Sequence, residues 1–215
     1  GVMGHLASST LKSRSGDGSA GSWGIQDQRE SLRWVRDNIA SFGGDPDNVL
    51  IFGHSSGGGS VSAHMVMPPS FSLFHKAIIH SGSFSNWAMH SWEAAEHNYR
   101  AVAVAAGCAT GALSYPASGE GDAEDISADD AVMECLLSKS WDEIQIAASD
   151  DHVPGGTGVP CRDGCAWAPV VDGEGGEFPR FHWQLARDGR RWPGGREGCV
   201  GERWSGSLIQ STTFD

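Results

Sequence analysis

The sequence predicts an α/β fold with a mostly parallel central sheet flanked by helices. Three observations lead there. Two short apolar runs, Val49-Leu50-Ile51-Phe52 and Ala77-Ile78-Ile79, have the length and apolar continuity of buried strands. A helical segment lies between them. At such short separations strand, helix and strand form a βαβ unit, whose right-handed crossover keeps the strands parallel. The chain has 215 residues, 39% hydrophobic and 20% charged, enough for one globular domain with a real core.

Taken in order, Lys12 to Gly24 is rich in Ser and Gly and reads as a surface loop. A helix follows: Asp27 and Glu30 have the spacing of a capping box, and Leu32, Val35, Ile39 and Phe42 recur on one face. Gly43 and Gly44 end it, and Asp45-Pro46 makes the turn into the first strand. Beyond Gly57 to Gly59, the segment Ser60 to Met67 reads as a helix stopped by Pro68-Pro69, and the second strand comes next. Glu93 to Ala106 is Ala-rich and helical. Residues 109 to 130 read as a long exposed loop, and Asp130 to Leu137 and Trp141 to Ala148 as short helices. Past Gly173 the periodicity fades.

Composition excludes some functions. A formal net charge of −12 argues against nucleic acid, whose phosphates would be repelled. No apolar run approaches the roughly 18 residues of a membrane span. Cys161 and Cys165 lack a second pair or a close His to complete four ligands, so no metal is assigned. The set of cysteines is odd: Cys108, Cys135, Cys161, Cys165 and Cys199.

One motif carries chemistry. Gly53-His54-Ser55-Ser56-Gly57 is Gly-x-Ser-x-Gly, with a strand running into it and a helix leaving it. That sharp turn forces the serine into a strained conformation and exposes its Oγ above the sheet edge as a nucleophile. The glycines two before and two after are expected to be needed because strand and helix backbones pass close. The N–H of Ser56, at the helix start, would point at a developing oxyanion.

The surrounding strings are family-specific. Trp23-Gly24-Ile25-Gln26-Asp27-Gln28, Leu32-Arg33-Trp34-Val35, and the run from Asn38 to Pro46 resemble the type-B carboxylesterase and cholinesterase family. So do Ile51 to Gly58, Leu73-Phe74-His75-Lys76-Ala77-Ile78 and His80-Ser81-Gly82-Ser83. The opening Gly1 to Leu6 is similar to the stretch after an earlier strand of that family, and the resemblance resumes faintly at Cys135-Leu136-Leu137 and Ala168 to Gly173. It implies the α/β-hydrolase fold, here truncated at both ends, with residues 1–215 a partial domain and 174–215 its atypical end. It implies a serine carboxylic-ester hydrolase acting on a small-molecule ester through an acyl-enzyme, with no cofactor. Ser55 would be the nucleophile, Ser56 an oxyanion N–H donor and Ser81 a buried serine supporting the acid–base pair. Trp87 would line the acyl pocket or simply pack in the core. Cys108 and Cys135 match a family disulfide, which implies an oxidising compartment and a secreted or lumenal protein.

The chain also departs from the family. His54 stands where most members carry Glu. The glycine-rich oxyanion loop would lie before Gly1. Residues 193 to 201 do not read as the expected strand, and Gln210, in a stretch faintly similar to the acid loop, stands near the acid's place; Glu202 is an acid candidate by spacing alone. The last of the nine histidines, His182, precedes either position, so neither acid nor base is assigned. The expectation is therefore a piece that folds poorly, with exposed sheet edges, and is nearly inactive alone. The rival reading is a non-catalytic, esterase-like binding or adhesion protein.

Overall fold

The architecture is described from a computed structural model over residues 1–82, 88–110, 130–149 and 167–171, with the backbone alone of 210–213. These residues group into two compact units, one of 1–24, 89–110, 130–149 and 167–171, the other of 25–82, 88 and 210–213.

The second unit carries the sheet. Helix α3 spans Trp23–Asn38 and tightens into a 3-10 turn over Ile39–Phe42. Gly43 ends it at φ 82°, a left-handed position that costs glycine nothing. Asp45 then makes the turn, its Oδ1 accepting from the Asp47 N–H at 2.9 Å. Strand β1 (Leu50–His54) leads into α4 (Ser56–His64), and β2 (Lys76–His80) follows, parallel to β1 with Leu50 opposite Lys76 and His54 opposite His80. The βαβ unit expected from the two apolar runs is thus present.

Its core lies on one face of the sheet. Val61 of α4 packs with Phe74, Ala77 and Ile79, and Leu32, Val49, Ile51 and Met65 join them. The expectation of a fully buried first strand fails on the opposite face. Burial alternates along β1, and Phe52 is 74% exposed and Leu50 44%. Both helices whose apolar residues reach this core, α3 and α4, do so through the Ile51 and Ala77 face. Phe42 is also exposed, its ring 5.7 Å from that of Trp34, although it completes the apolar stripe of the helix before it.

A third strand, β3 (Gln210–Thr213), pairs antiparallel with β2, Gln210 opposite Ile79 and Thr213 opposite Lys76. The sheet order is β1-β2-β3, so the sheet is mixed. The sequence reading put an acid-type loop here; Gln-Ser-Thr-Thr carries no apolar alternation to signal a strand, and only its threonines favour one.

The first unit is helical. Helices α1 (Val2–His5) and α2 (Ser9–Arg14) open it, and α5 (Trp92–Ala105), α6 (Asp130–Leu137) and α7 (Trp141–Ala147) supply most of its core, with Tyr99, Val102, Val132, Met133 and Leu136 packed around Val2. Helix α7 starts on a full capping box, Ser140 and Glu143 each bonding the other's backbone N–H. Cys108 and Cys135 are bridged, with Cα atoms 5.5 Å apart, as the resemblance implies. Closing that loop of separation 27 contributes about 3–4 kcal/mol in the chain-entropy account.

Two helix starts differ from expectation. Lys12 to Arg14 belong to α2 rather than to the Ser/Gly loop: Ser8 caps its start by accepting from the Leu11 N–H at 3.1 Å, and Glu96 accepts from both the N–H and the hydroxyl of Ser9. Helix α3 begins at Trp23, so Asp27 and Glu30 lie inside it and form no cap. The remaining part of the expected loop at 109–130, and most of 174–215, lie outside the described residues. No helix among the described residues is long and apolar enough to cross a membrane.

Candidate active site

Ser55 sits where β1 becomes α4, at φ 54° and ψ −120°. A non-glycine residue held there costs roughly 1–3 kcal/mol, so its surroundings must over-determine it. Those surroundings are backbone. The Ser55 N–H donates to the His80 carbonyl at 2.8 Å, extending the β1–β2 pairing by one residue, and its carbonyl accepts from the Gly59 N–H at 3.0 Å. With main chain fixed on both sides, the side chain is left exposed above the end of the sheet.

Glycines make this approach possible, but not the pair expected. A Cβ on Gly53 would stand 2.2 Å from the Gly57 carbonyl oxygen, so no side chain fits. One on Gly57 itself would meet nothing within 4 Å. The sequence reading, which required glycine at both places, is corrected here: the close approach is made by Gly57's main chain, and its own Cβ direction is open. The second required glycine is Gly82, where a Cβ would lie 2.0 Å from the Ser55 carbonyl oxygen. Gly58 is tight as well, its Cβ 3.1 Å from the Gly82 Cα. Sequence reasoning missed Gly82. The available signal was its place two residues past the second strand, next to Ser81, which follows that strand as Ser55 follows the first.

Ser56 opens α4, and a first-turn N–H has no intrahelical partner, so it is the kind of donor that can face an oxyanion. Ser81 is the other non-glycine residue with positive φ, at 50°, among the described residues. The resemblance implied a buried serine there; Ser81 is exposed, one residue past the end of β2.

Two of the described histidines of this unit, His64 and His75, have structural partners. His64 is buried, with Nδ1 3.0 Å from the Ser70 Oγ and Nε2 3.1 Å from the Gln28 Oε1. His75 Nδ1 accepts from the Val49 N–H at 3.2 Å. His54 and His80 are exposed at the two strand ends. Gln210, near the acid's expected place, lies in β3 beside Ile79. Trp87, Glu202, His182, Cys161, Cys165 and Cys199 lie outside the described residues.

The sequence profile of the carboxylesterase family matches residues 1–187. The chain is 51% identical over 82 residues to an acylcarnitine hydrolase of Mus musculus, covering 38% of this chain and 14% of that protein. It is 36% identical over 145 residues to cholinesterase 1 of Branchiostoma lanceolatum, covering 63% of this chain and 36% of that protein. With a pyrethroid hydrolase of Rattus norvegicus it shares 43% identity over 124 residues, 58% of this chain and 19% of that protein. The chain thus spans between about one seventh and about one third of the length of these relatives.

Proposed function

From the premise that this chain belongs to the carboxylesterase family, with its α/β-hydrolase fold, we propose that it carries the nucleophile of a serine carboxylic-ester hydrolase, and that Ser55 is that nucleophile. The observation that carries the reading is the conformation of Ser55: an exposed serine at φ 54° on a strand-to-helix turn, its main chain closely packed by Gly82 and its side chain left exposed.

In the proposed reaction Ser55 Oγ gives its proton to a general base and attacks the ester carbonyl. The oxyanion that forms is met by the Ser56 N–H. The C–O bond to the alcohol breaks, the alcohol leaves with a proton, and the acyl group stays on Ser55 until water hydrolyses it. Ser81, beside Ser55 at the sheet edge, has the supporting role, and Trp87 contributes to the acyl pocket. The substrate is a small-molecule carboxylic ester. The relatives' printed names, an acylcarnitine hydrolase, a cholinesterase and a pyrethroid hydrolase, support that class. The Cys108–Cys135 bridge supports residence in the secretory pathway or outside the cell.

Neither an acid nor a base is assigned among the described residues. With both left open by the sequence, we infer that the 215-residue chain turns over esters more slowly than a protein with a complete triad, by up to about 10⁶ in kcat. Labelling with a fluorophosphonate tests the whole reading: the full-length gene product should be labelled, and Ser55→Ala should not. A folded gene product that resists labelling would replace the hydrolase reading with that of a non-catalytic, esterase-like binding protein.

A further inference from the structure

The first turn of α4 has an internal weakness. After Ser55 and Ser56 come Gly57, Gly58 and Gly59, all inside the helix, and each glycine there weakens it relative to alanine because its backbone has most freedom to lose. A turn of that composition is not stiff by itself. Yet it carries the N–H that would serve the oxyanion, and displacing such a group by about 1 Å can cost on the order of 10²-fold in rate.

A directed chain of hydrogen bonds ties this turn to the protein interior. The Gln28 Oε1 can only accept, so His64 Nε2, 3.1 Å away, holds the imidazole proton. Nδ1 is then an acceptor, and the Ser70 hydroxyl donates to it at 3.0 Å. The Gln28 amide nitrogen donates to Ser60 Oγ at 3.4 Å, and the Ser60 hydroxyl gives its single proton to the Ser56 carbonyl at 3.1 Å. One sense of donation satisfies all four links. His64 is 4% exposed and Ser70 fully buried, so the inner end is fixed, while Gln28 comes from α3 and reaches the turn from outside α4.

We propose that His64 is a positioning residue for the nucleophile turn, acting through Gln28 and Ser60 on the Ser56 carbonyl and so on the φ and ψ of Ser56, which orient its N–H. The proposal rests on the assignment of Ser55 as nucleophile. A serine bonding its own helix one turn back is common, and by itself says nothing. Here the Ser60 Oγ is also held by a side chain from another helix, whose orientation is in turn set by a buried imidazole.

The test uses the full-length gene product and a fluorophosphonate probe, reading the second-order rate constant for labelling Ser55. His64→Ala removes a buried group and can fail to fold, so the decisive variants lie at the outer end. Ser60→Ala should lower the rate constant about 3- to 10-fold, the effect of one neutral hydrogen bond, with an unchanged melting temperature. Gln28→Glu should lower it similarly, because a carboxylate has no donor for Ser60 and draws that hydroxyl away from Ser56. Ser60→Thr, which keeps the hydroxyl, should stay within about twofold of the parent. Nitrogen-15 spectra should find His64 protonated on Nε2. Equal rate constants in all variants, or His64 protonated on Nδ1, would overturn the inference while leaving Ser55 in place. An unlabelled parent protein would overturn the Ser55 assignment, and the inference with it.

Discussion

The two units of this chain are held by different physics. Around Ser55 the contacts that matter are between main chains: Gly53 against Gly57, Gly82 against the carbonyl of Ser55, the Ser55 N–H on His80. In the helical unit the contacts are between side chains, Tyr99 and Val102 against Met133 and Leu136, closed by a covalent bridge. Main-chain packing has no slack, since a carbonyl cannot change rotamer to make room. Side-chain packing yields by degrees, and a cross-link can substitute for part of it. The difference teaches where to look for a reactive residue: where the backbone is forced and the side chain is not.

The largest expected effect breaks the first region. Gly82→Ala puts a methyl 2.0 Å from the Ser55 oxygen and should destabilise the protein by about 4 kcal/mol or more, read by denaturant unfolding. In the helical unit, Cys108→Ser with Cys135→Ser should cost about 3–4 kcal/mol without touching the turn at Ser55. A strong reductant should produce the same shift in the parent protein and none in the double variant.

The next effect depends on pH and again concerns the helical unit alone. Burial, with smaller contributions from the amino-terminal charge and His90, pushes His5 down from 6.5 to about 4 even though its Nδ1–H donates to the Gly21 carbonyl at 3.2 Å. The unfolded chain takes up a proton near 6.5 and the folded chain only near 4, so between those values the unfolded state binds more protons. The stabilisation is complete above pH 6.5 and is lost as pH falls through about 4, amounting to about 3 kcal/mol. Melting temperatures across that window should fall steeply for the parent and less for His5→Gln. The smallest effect sharpens the comparison from within the turn. Gly57→Ala, with open space at its Cβ, should gain about 0.5–1 kcal/mol, although it belongs to the same pentapeptide as the intolerant Gly53.

That last contrast marks the limit of what the sequence could say. The strands, the position of Ser55 between them, Gly43 as a helix stop and the helices α5 to α7 were legible, because each rests on local periodicity or a residue with one conformational use. The pentapeptide also announced that main chains approach closely. It did not say along which Cβ directions, since that depends on the angle at which α4 leaves the strand. Gly82, 29 residues beyond Gly53, enters the turn only through β1–β2 pairing. Helix α2 was hidden for a related reason: its serines favour loops in isolation, and Glu96, far along the chain, is what secures its first turn. The Cys108–Cys135 pairing came from family resemblance and not from spacing.

The open face of β1 has a consequence for handling the protein. Phe52 and Leu50 form a sticky surface that a formal charge of −12 keeps dispersed at neutral pH. Repulsion between molecules vanishes toward the isoelectric point near 5.0, inside the window in which His5 loosens the helical unit. Mild acid thus removes the colloidal barrier and weakens the fold together, and purification, storage and assay belong above pH 6.5, the ordinary value for histidine.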